Sequence, residues 1–269
     1  ERLQLYSLPT PNGVKVSIML EEIGLAYEPH LVDIGKNETW TPEFLSLNPN
    51  GKIPAIIDPD GPGGAPFGLF ESGAILLYLA EKTGKLLPSD AARRYETIQW
   101  VFFQMAAIGP MFGQLGFFHK FAGKDFEDKR PRDRYIAESR RLLGVVDGQL
   151  AKSKWIAGDE YTIADIIVWP WYVLLATRVI GVPLVLAFLP LGPAGELLVA
   201  VLPPVVDGRG ERRPDPVERD PQRGREGLGE RGEAGLHVGE QPADERRVDA
   251  RAEVGDAGLV DALLLDNLY

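Results

Sequence analysis

Asn48-Pro49-Asn50-Gly51-Lys52-Ile53-Pro54-Ala55-Ile56-Ile57-Asp58 is the stretch that decides the fold. Its first four residues carry turn chemistry, and residues 53–58 read as an apolar strand interrupted by Pro54. A proline has no N–H for a central ladder. A cis Ile53–Pro54 bond at the strand entrance resolves the conflict, because X-Pro is where cis bonds occur. Beyond it, Asp60-Gly61-Pro62-Gly63-Gly64 marks a loop, residues 67–70 a last short strand, and residues 72–83 a strongly apolar helix ending at Gly84.

Working back from the same stretch, residues 3–7 alternate like a half-buried strand, and Pro9-Thr10-Pro11-Asn12-Gly13 makes a turn. Residues 14–24 place Val14, Ile18 and Ile23 at amphipathic-helix spacing, with Gly24 at the C-cap position. Residues 27–33 read as a second strand and 40–47 as a short helix. Strand-helix-strand-helix followed by strand-strand-helix is a βαβ unit closed by a hairpin and a helix. That is the thioredoxin-like order, and it assigns residues 1–84 to one domain.

From about residue 91 the pattern turns helical. Residues 93–112 form one aromatic-rich helix, in which Trp100, Phe102, Phe103 and Phe112 are assigned to the core. Residues 132–151 form another, with Ile136, Leu142, Leu143, Val146 and Leu150 on one face. Thr162 and Asp165 have capping-box-like spacing ahead of a helix over 162–173. The class is therefore α+β, with an all-helical second domain over 92–178. Residues 179–269 are atypical: no lysine follows Lys154, no serine follows Ser153, and no aromatic lies between Phe188 and Tyr269. Two readings stand for them, a solvated disordered tail or translation out of frame.

Composition excludes several functions. The net charge of -10 argues against nucleic acid or an anionic membrane as partner. No apolar run reaches spanning length; the longest, residues 179–191, carries Pro183 and Pro190. With no targeting pattern ahead of the first strand, the expected compartment is the cytoplasm. The absence of cysteine removes disulfides, thiolate metal sites and a cysteine nucleophile together. His30, His119 and His237 are too scattered for a metal site, so no metal is expected.

Several ordered motifs carry a family resemblance over residues 3–178. Thr10-Pro11-Asn12-Gly13, the 48–55 stretch and Phe70-Glu71-Ser72-Gly73-Ala74-Ile75 resemble a soluble glutathione transferase. Gln99-Trp100, Gly109-Pro110-Met111-Phe112-Gly113-Gln114, Thr162-Ile163-Ala164-Asp165 and Trp169-Pro170-Trp171 are similar to the bacterial nu class in particular. The resemblance implies a homodimer that takes glutathione as substrate and needs no cofactor. It implies reduction of small disulfides with two bound glutathiones, with transferase or peroxidase activity toward an electrophile beside it.

Activating glutathione means lowering a thiol pKa from about 8.5, and a helix N-terminus does so with free N–H donors and partial positive charge. The resemblance makes Thr10 and Asn12 the catalytic pair, the first through its hydroxyl and the second through its N–H. Thr10-Pro11 also reads as a plain N-cap with proline at the first helical position. Tyr6 lies a few residues ahead, and Ser7 is the second choice for the sulfur contact. With Pro54 cis, the backbone of Ile53 is free to pair with an extended tripeptide. Ser72 holds the γ-glutamyl carboxylate and Glu71 its ammonium. Asn50 and Lys52 reach the glycyl end, assisted by Thr39, where the class has glutamine. Arg134 matches an arginine supplied near the dimer interface, and Gln114, Phe117 and Phe118 are expected to line the second-substrate cleft, with His119 packed or solvent-facing and not catalytic. The rival readings are a non-enzymatic glutathione-binding or regulatory protein on the same fold, and a damaged gene product.

Overall fold

The structure, a computed structural model, describes residues 1–174. Strand β1 (Leu3–Ser7) is followed by α1 (Pro11–Ile23) and β2 (Tyr27–Leu31), with β2 parallel to β1 and Leu3 opposite Tyr27. A 3₁₀ turn over Glu38–Trp40 leads into α2 (Pro42–Leu47). The hairpin β3 (Ala55–Asp58) and β4 (Phe67–Phe70) and the closing helix α3 (Ser72–Thr83) complete the sheet half, whose strand order is β2-β1-β3-β4. β3 runs antiparallel to both neighbours, Leu5 facing Ile56 and Ala55 facing Phe70.

Strand alternation divides the core in two. Leu3, Leu5 and Ile56 point toward α1 and α3, meeting Val16, Met19, Leu20, Ile75, Leu76 and Leu79. Tyr6, Ala55 and Phe70 point the other way, onto Val32, Ile34 and Phe44. The helical half joins the first of these cores. It comprises α4 (Ala91–Phe103), α5 (Gly109–His119), α6 (Arg130–Leu150) and α7 (Ile163–Leu174). Asp165 secures the start of α7 by accepting from the N–H of Thr162 at 2.9 Å, while Thr162 Oγ1 accepts from Ala164 N–H at 3.2 Å. The same carboxylate accepts from Ile156 N–H at 2.9 Å, tying the preceding loop to the helix.

Several expectations are corrected. The strand starts at Ala55 and not at Ile53, so Pro54 stands outside the ladder, while the Ile53–Pro54 bond is cis as expected. The 40–47 helix is two pieces, because Thr41 in extended backbone caps α2 through its hydroxyl. β2 ends at Leu31, not 33. The 93–112 helix is longer and not uniform: a π-helical turn over Gln104–Ile108 joins α4 to α5. By length and composition the continuous helix Ala91–His119 would also suffice to cross a membrane, but Val101, Ile108, Phe112 and Leu115 are buried in the core. Phe102, assigned to that core, is 64% exposed, because the α4 face that packs is the one carrying Thr97 and Val101. On α6, Ile136, Leu142, Leu143 and Val146 are buried as expected, and Leu150 is half-buried. The readings for 179–269, and for the end of the 92–178 domain, lie outside the described residues.

Candidate functional site

The N-terminus of α1 is built to a tight specification. Thr10 is extended and its hydroxyl oxygen accepts from Gly13 N–H at 3.3 Å, with Pro11 at the first helical position. Gly13 allows β1 and α1 to close on each other: a Cβ there would lie 2.1 Å from Leu8 O and 2.4 Å from Ser7 Oγ. Tyr6 stacks on His30, ring centroids 4.6 Å apart. Asn12 follows the cap and faces an open cleft of about 240 Å³ between the sheet half and the helical half.

Three other segments reach that cleft. The loop before β3 is folded by Asn48, whose Oδ1 accepts from Asn50 N–H at 2.9 Å and whose Nδ2 donates to Lys52 O at 2.5 Å. This Asx turn presents Lys52, Ile53 and Pro54 to the cleft. Glu71, at φ 71°, sits in the left-handed region ahead of α3, a conformation costly for a residue with a Cβ and concentrated at functional sites. The turn it makes sets Glu71 and Ser72 at the rim together. The π-helical turn supplies Gln104 and Met105, and α7 supplies Trp171. Such turns re-aim side chains that a regular helix would direct elsewhere.

Beneath these groups lies Lys15, wholly buried. Its Nζ donates to Asn12 Oδ1 at 2.8 Å, Gln104 Oε1 at 2.7 Å and Ser72 Oγ at 3.2 Å. Burial pushes its pKa well below the ordinary lysine value, and the negative charge of Glu71 opposes that. Trp171 Nε1 donates to the same Asn12 Oδ1 at 2.9 Å.

Of the residues singled out from sequence, the cleft gathers Asn12, Lys52, Ile53, Pro54, Glu71 and Ser72. Thr10 is buried behind it as the cap, and Thr39 is buried in the 3₁₀ turn. Asn50 lies in the same loop as Lys52 but is not among the lining residues. Arg134 is exposed on α6. Phe117 and Phe118 pack edge to face at 4.9 Å, and Phe118 stacks on Tyr135 at 5.6 Å; with Gln114 they lie apart from this cleft. His119 is half-buried, and burial lowers its pKa ahead of the charges on Arg132 and Lys120. Gly109, Pro110 and Trp171 line the cleft too, having been quoted only within family motifs, and Lys15, Asn48, Gln104 and Met105 are cleft residues to which the sequence assigned no role. Asn48 carried a signal in its Asn-Pro-Asn-Gly turn; the others carried none locally. Among the described residues no group of three or more His, Asp or Glu is placed to hold a metal.

A mixed four-stranded sheet with a cis-proline loop, two helix starts converging on one cleft, and an appended helical half define a glutathione-transferase architecture, thioredoxin-like in its first part. Residues 1–81 match the family model for the glutathione S-transferase N-terminal domain, and residues 130–203 the one for its C-terminal domain. The chain belongs to the glutathione S-transferase family. It is 47% identical over 170 residues to the disulfide-bond oxidoreductase YfcG of Escherichia coli, covering 63% of this chain and 78% of that one. Among solved structures, a glutathione transferase of Burkholderia graminis with two glutathione molecules bound per subunit is 62% identical, with a TM-score of 0.66 over 75% of this chain and 88% of that one. A glutathione transferase of Pseudomonas putida with one glutathione disulfide per subunit is 60% identical, with a TM-score of 0.68 over 74% and 86%.

Proposed function

We propose that this protein is a glutathione-dependent enzyme that reduces small disulfides, using glutathione as its only source of thiol. The observation that carries the reading is the convergence of Asn12, Ile53, Glu71 and Ser72 on one cleft in a chain without cysteine. In the first step the thiolate of one bound glutathione attacks a sulfur of the substrate disulfide. A new mixed S–S bond forms, the old one breaks, and the leaving thiolate takes a proton. A second glutathione thiolate then attacks the glutathione sulfur of the mixed disulfide and expels the remaining substrate thiol. Two glutathiones lose two electrons and the substrate disulfide gains them. Support for this balance comes from the relatives, one bearing two glutathiones per subunit and another glutathione disulfide.

Within that reading, Ile53, standing outside the ladder, pairs with the backbone of the extended tripeptide. Ser72 and the N–H groups of α3 take the γ-glutamyl carboxylate, Glu71 its ammonium, and Lys52 the glycyl carboxylate, with Asn50 and Arg134 as outer contacts. Thr39, buried in the 3₁₀ turn, supports that turn and does not touch the ligand. Thr10 and Asn12 hold the attacking sulfur at the α1 terminus, Thr10 by organising that terminus and Asn12 by facing the cleft. Gln114, Phe117 and Phe118 border the place of the second substrate. The residues divide as a glutathione-binding domain over 1–84 and a helical domain over 92–178. A cytoplasmic homodimer completes the reading; Tyr95 and Phe102, 69% and 64% exposed and seven residues apart on α4, supply an apolar face for it.

Retention on glutathione resin followed by turnover of hydroxyethyl disulfide tests the proposal. Binding with turnover supports it; binding without turnover makes the protein a glutathione-binding regulator instead; failure of both overturns the glutathione reading.

A further inference from the structure

Lys15 is not on the cleft by accident of surface packing. Its ammonium group would carry three donors and no acceptor, and three oxygens surround Nζ within 3.2 Å. Two of them, Asn12 Oδ1 and Gln104 Oε1, are amide oxygens that only accept, and the third is a hydroxyl oxygen able to accept the remaining N–H of an ammonium. These acceptors and the charge of Glu71 work against the lowering that burial causes. Asn12 Oδ1 receives a second donor from Trp171, which settles the orientation of that amide: its oxygen is turned to Lys15 and its other end is a donor. Gln104 is oriented the same way. Its Nε2 is buried without a partner and lies beside Gly109, another residue of the cleft wall. A buried donor left unpaired costs about 1–3 kcal/mol, so the structure tolerates that cost to keep the Gln104 oxygen on Nζ.

We propose that Lys15 is a positioning residue for the sulfur chemistry: its ammonium, held behind Asn12, Ser72 and Gln104, turns the donor end of the Asn12 amide away from itself and supplies the charge that keeps a bound thiol ionised. The inference rests on the glutathione reading given above. It adds a charge at the wholly buried Nζ to a helix terminus worth only about half an elementary charge, and charge acts more strongly away from bulk water. The other charged groups lining the cleft are Lys52, from the loop before β3, and Glu71, ahead of α3; the π-helical turn and α7 line it with neutral Gln104, Met105 and Trp171. Glu71 opposes the thiolate and supports the ammonium, so Lys15 and Lys52 are the cleft's sources of positive charge.

The test is titration of bound glutathione by the ultraviolet absorbance of its thiolate, in the wild type and in Lys15→Met, alongside kcat and KM against pH. Methionine keeps the chain length and removes the charge, at the cost of leaving Gln104 Oε1 without its donor. The expected result is a bound-thiol pKa higher by about one unit, hence roughly tenfold lower kcat near neutral pH, recovering as the pH rises. KM for glutathione is expected to change much less than kcat. An unchanged titration, or a loss of kcat that no pH restores, overturns the proposal while leaving glutathione binding intact. If the wild type binds no glutathione, the underlying reading falls and the proposal with it. Should Lys15→Met fail to fold, Gln104→Leu, which removes the nearest acceptor of the ammonium, is expected to shift the titration in the same direction, and no shift there overturns the proposal equally.

Discussion

Trp171 and Asn12, 159 residues apart in the chain, are joined by a hydrogen bond of 2.9 Å from the indole Nε1 to the amide Oδ1. Asn12 belongs to the helix that starts the sheet half, and Trp171 to the last described helix of the helical half. The contact therefore makes the geometry of the cleft depend on how the two halves pack. It also places a rigid, almost fully buried side chain behind the residue proposed to face the sulfur.

Trp171→Phe keeps most of the packing and deletes this bond. The loss of one net hydrogen bond is expected to cost about 1 kcal/mol of stability. Turnover of hydroxyethyl disulfide is expected to fall more than glutathione affinity, since Asn12 loses an anchor while Ser72 and Ile53 are untouched. Calorimetric titration and steady-state kinetics on the same preparation separate the two effects.

Gly13→Ala meets backbone, not a flexible side chain, because the new methyl would fall 2.1 Å from Leu8 O. β1 and α1 must then move apart. A loss of roughly 1–3 kcal/mol is expected from the overpacking, together with loss of resin retention, and thermal unfolding measures the first directly.

Thr10→Ala removes the cap of α1 and is expected to cost about 1 kcal/mol. Thr10→Ser retains the hydroxyl and is expected to keep both stability and disulfide reduction near wild type. A turnover in Thr10→Ala equal to wild type would move the sulfur contact to Asn12 and the helix terminus alone.

Asp58 governs part of the acid response. Burial pushes its carboxyl up, yet the hydroxyl of Tyr78 at 2.6 Å, the ammonium of Lys82 at 2.9 Å and the N–H of Asp60 at 3.0 Å outweigh that and hold it below the ordinary value of 3.8. A carboxyl whose folded pKa is depressed contributes stability that is present above its unfolded pKa and is lost as pH falls through the folded one. Asp58→Asn is expected to lower stability at neutral pH and to flatten its decline below pH about 4. Urea midpoints measured from neutral to acid pH check both.

Asp165→Ala strips the partner from two buried backbone N–H groups, those of Ile156 and Thr162. A loss of roughly 3 kcal/mol is expected, with Asp165→Asn intermediate, because an amide oxygen can replace only part of what the carboxylate accepts. Denaturant unfolding of the two variants side by side gives the ordering.

The element order was legible because its signals are local. Glycine at 24 and 84, proline at 11 and 54, and the caps Thr10 and Thr162 act within a turn or two of themselves, and the structure uses each at the position expected. What was misread also has local causes. Thr41 breaks the 40–47 segment because its hydroxyl caps α2. The helix through Gln104 looked uniform because a π-helical turn leaves no mark in apolar spacing. Phe102 was assigned to the core by residue type, though hydrophobicity alone does not say which face of a helix is covered.

Sequence by itself determined the thioredoxin-like order, the cis-proline loop, the two helix starts that face the cleft, and the need for a thiol from outside a cysteine-free chain. Each of these depends on backbone preference or composition, which neighbouring residues settle. Tertiary structure alone decided that Lys15 is internal. Nothing around it in the chain distinguishes it from a solvated helix lysine, and two of its acceptors come from 57 and 89 residues away. The same holds for Asn12, whose amide is oriented by a tryptophan from the far half of the molecule. A buried charge is made tolerable only by partners that folding brings together, so its presence under the cleft becomes visible when the two halves are packed and not before.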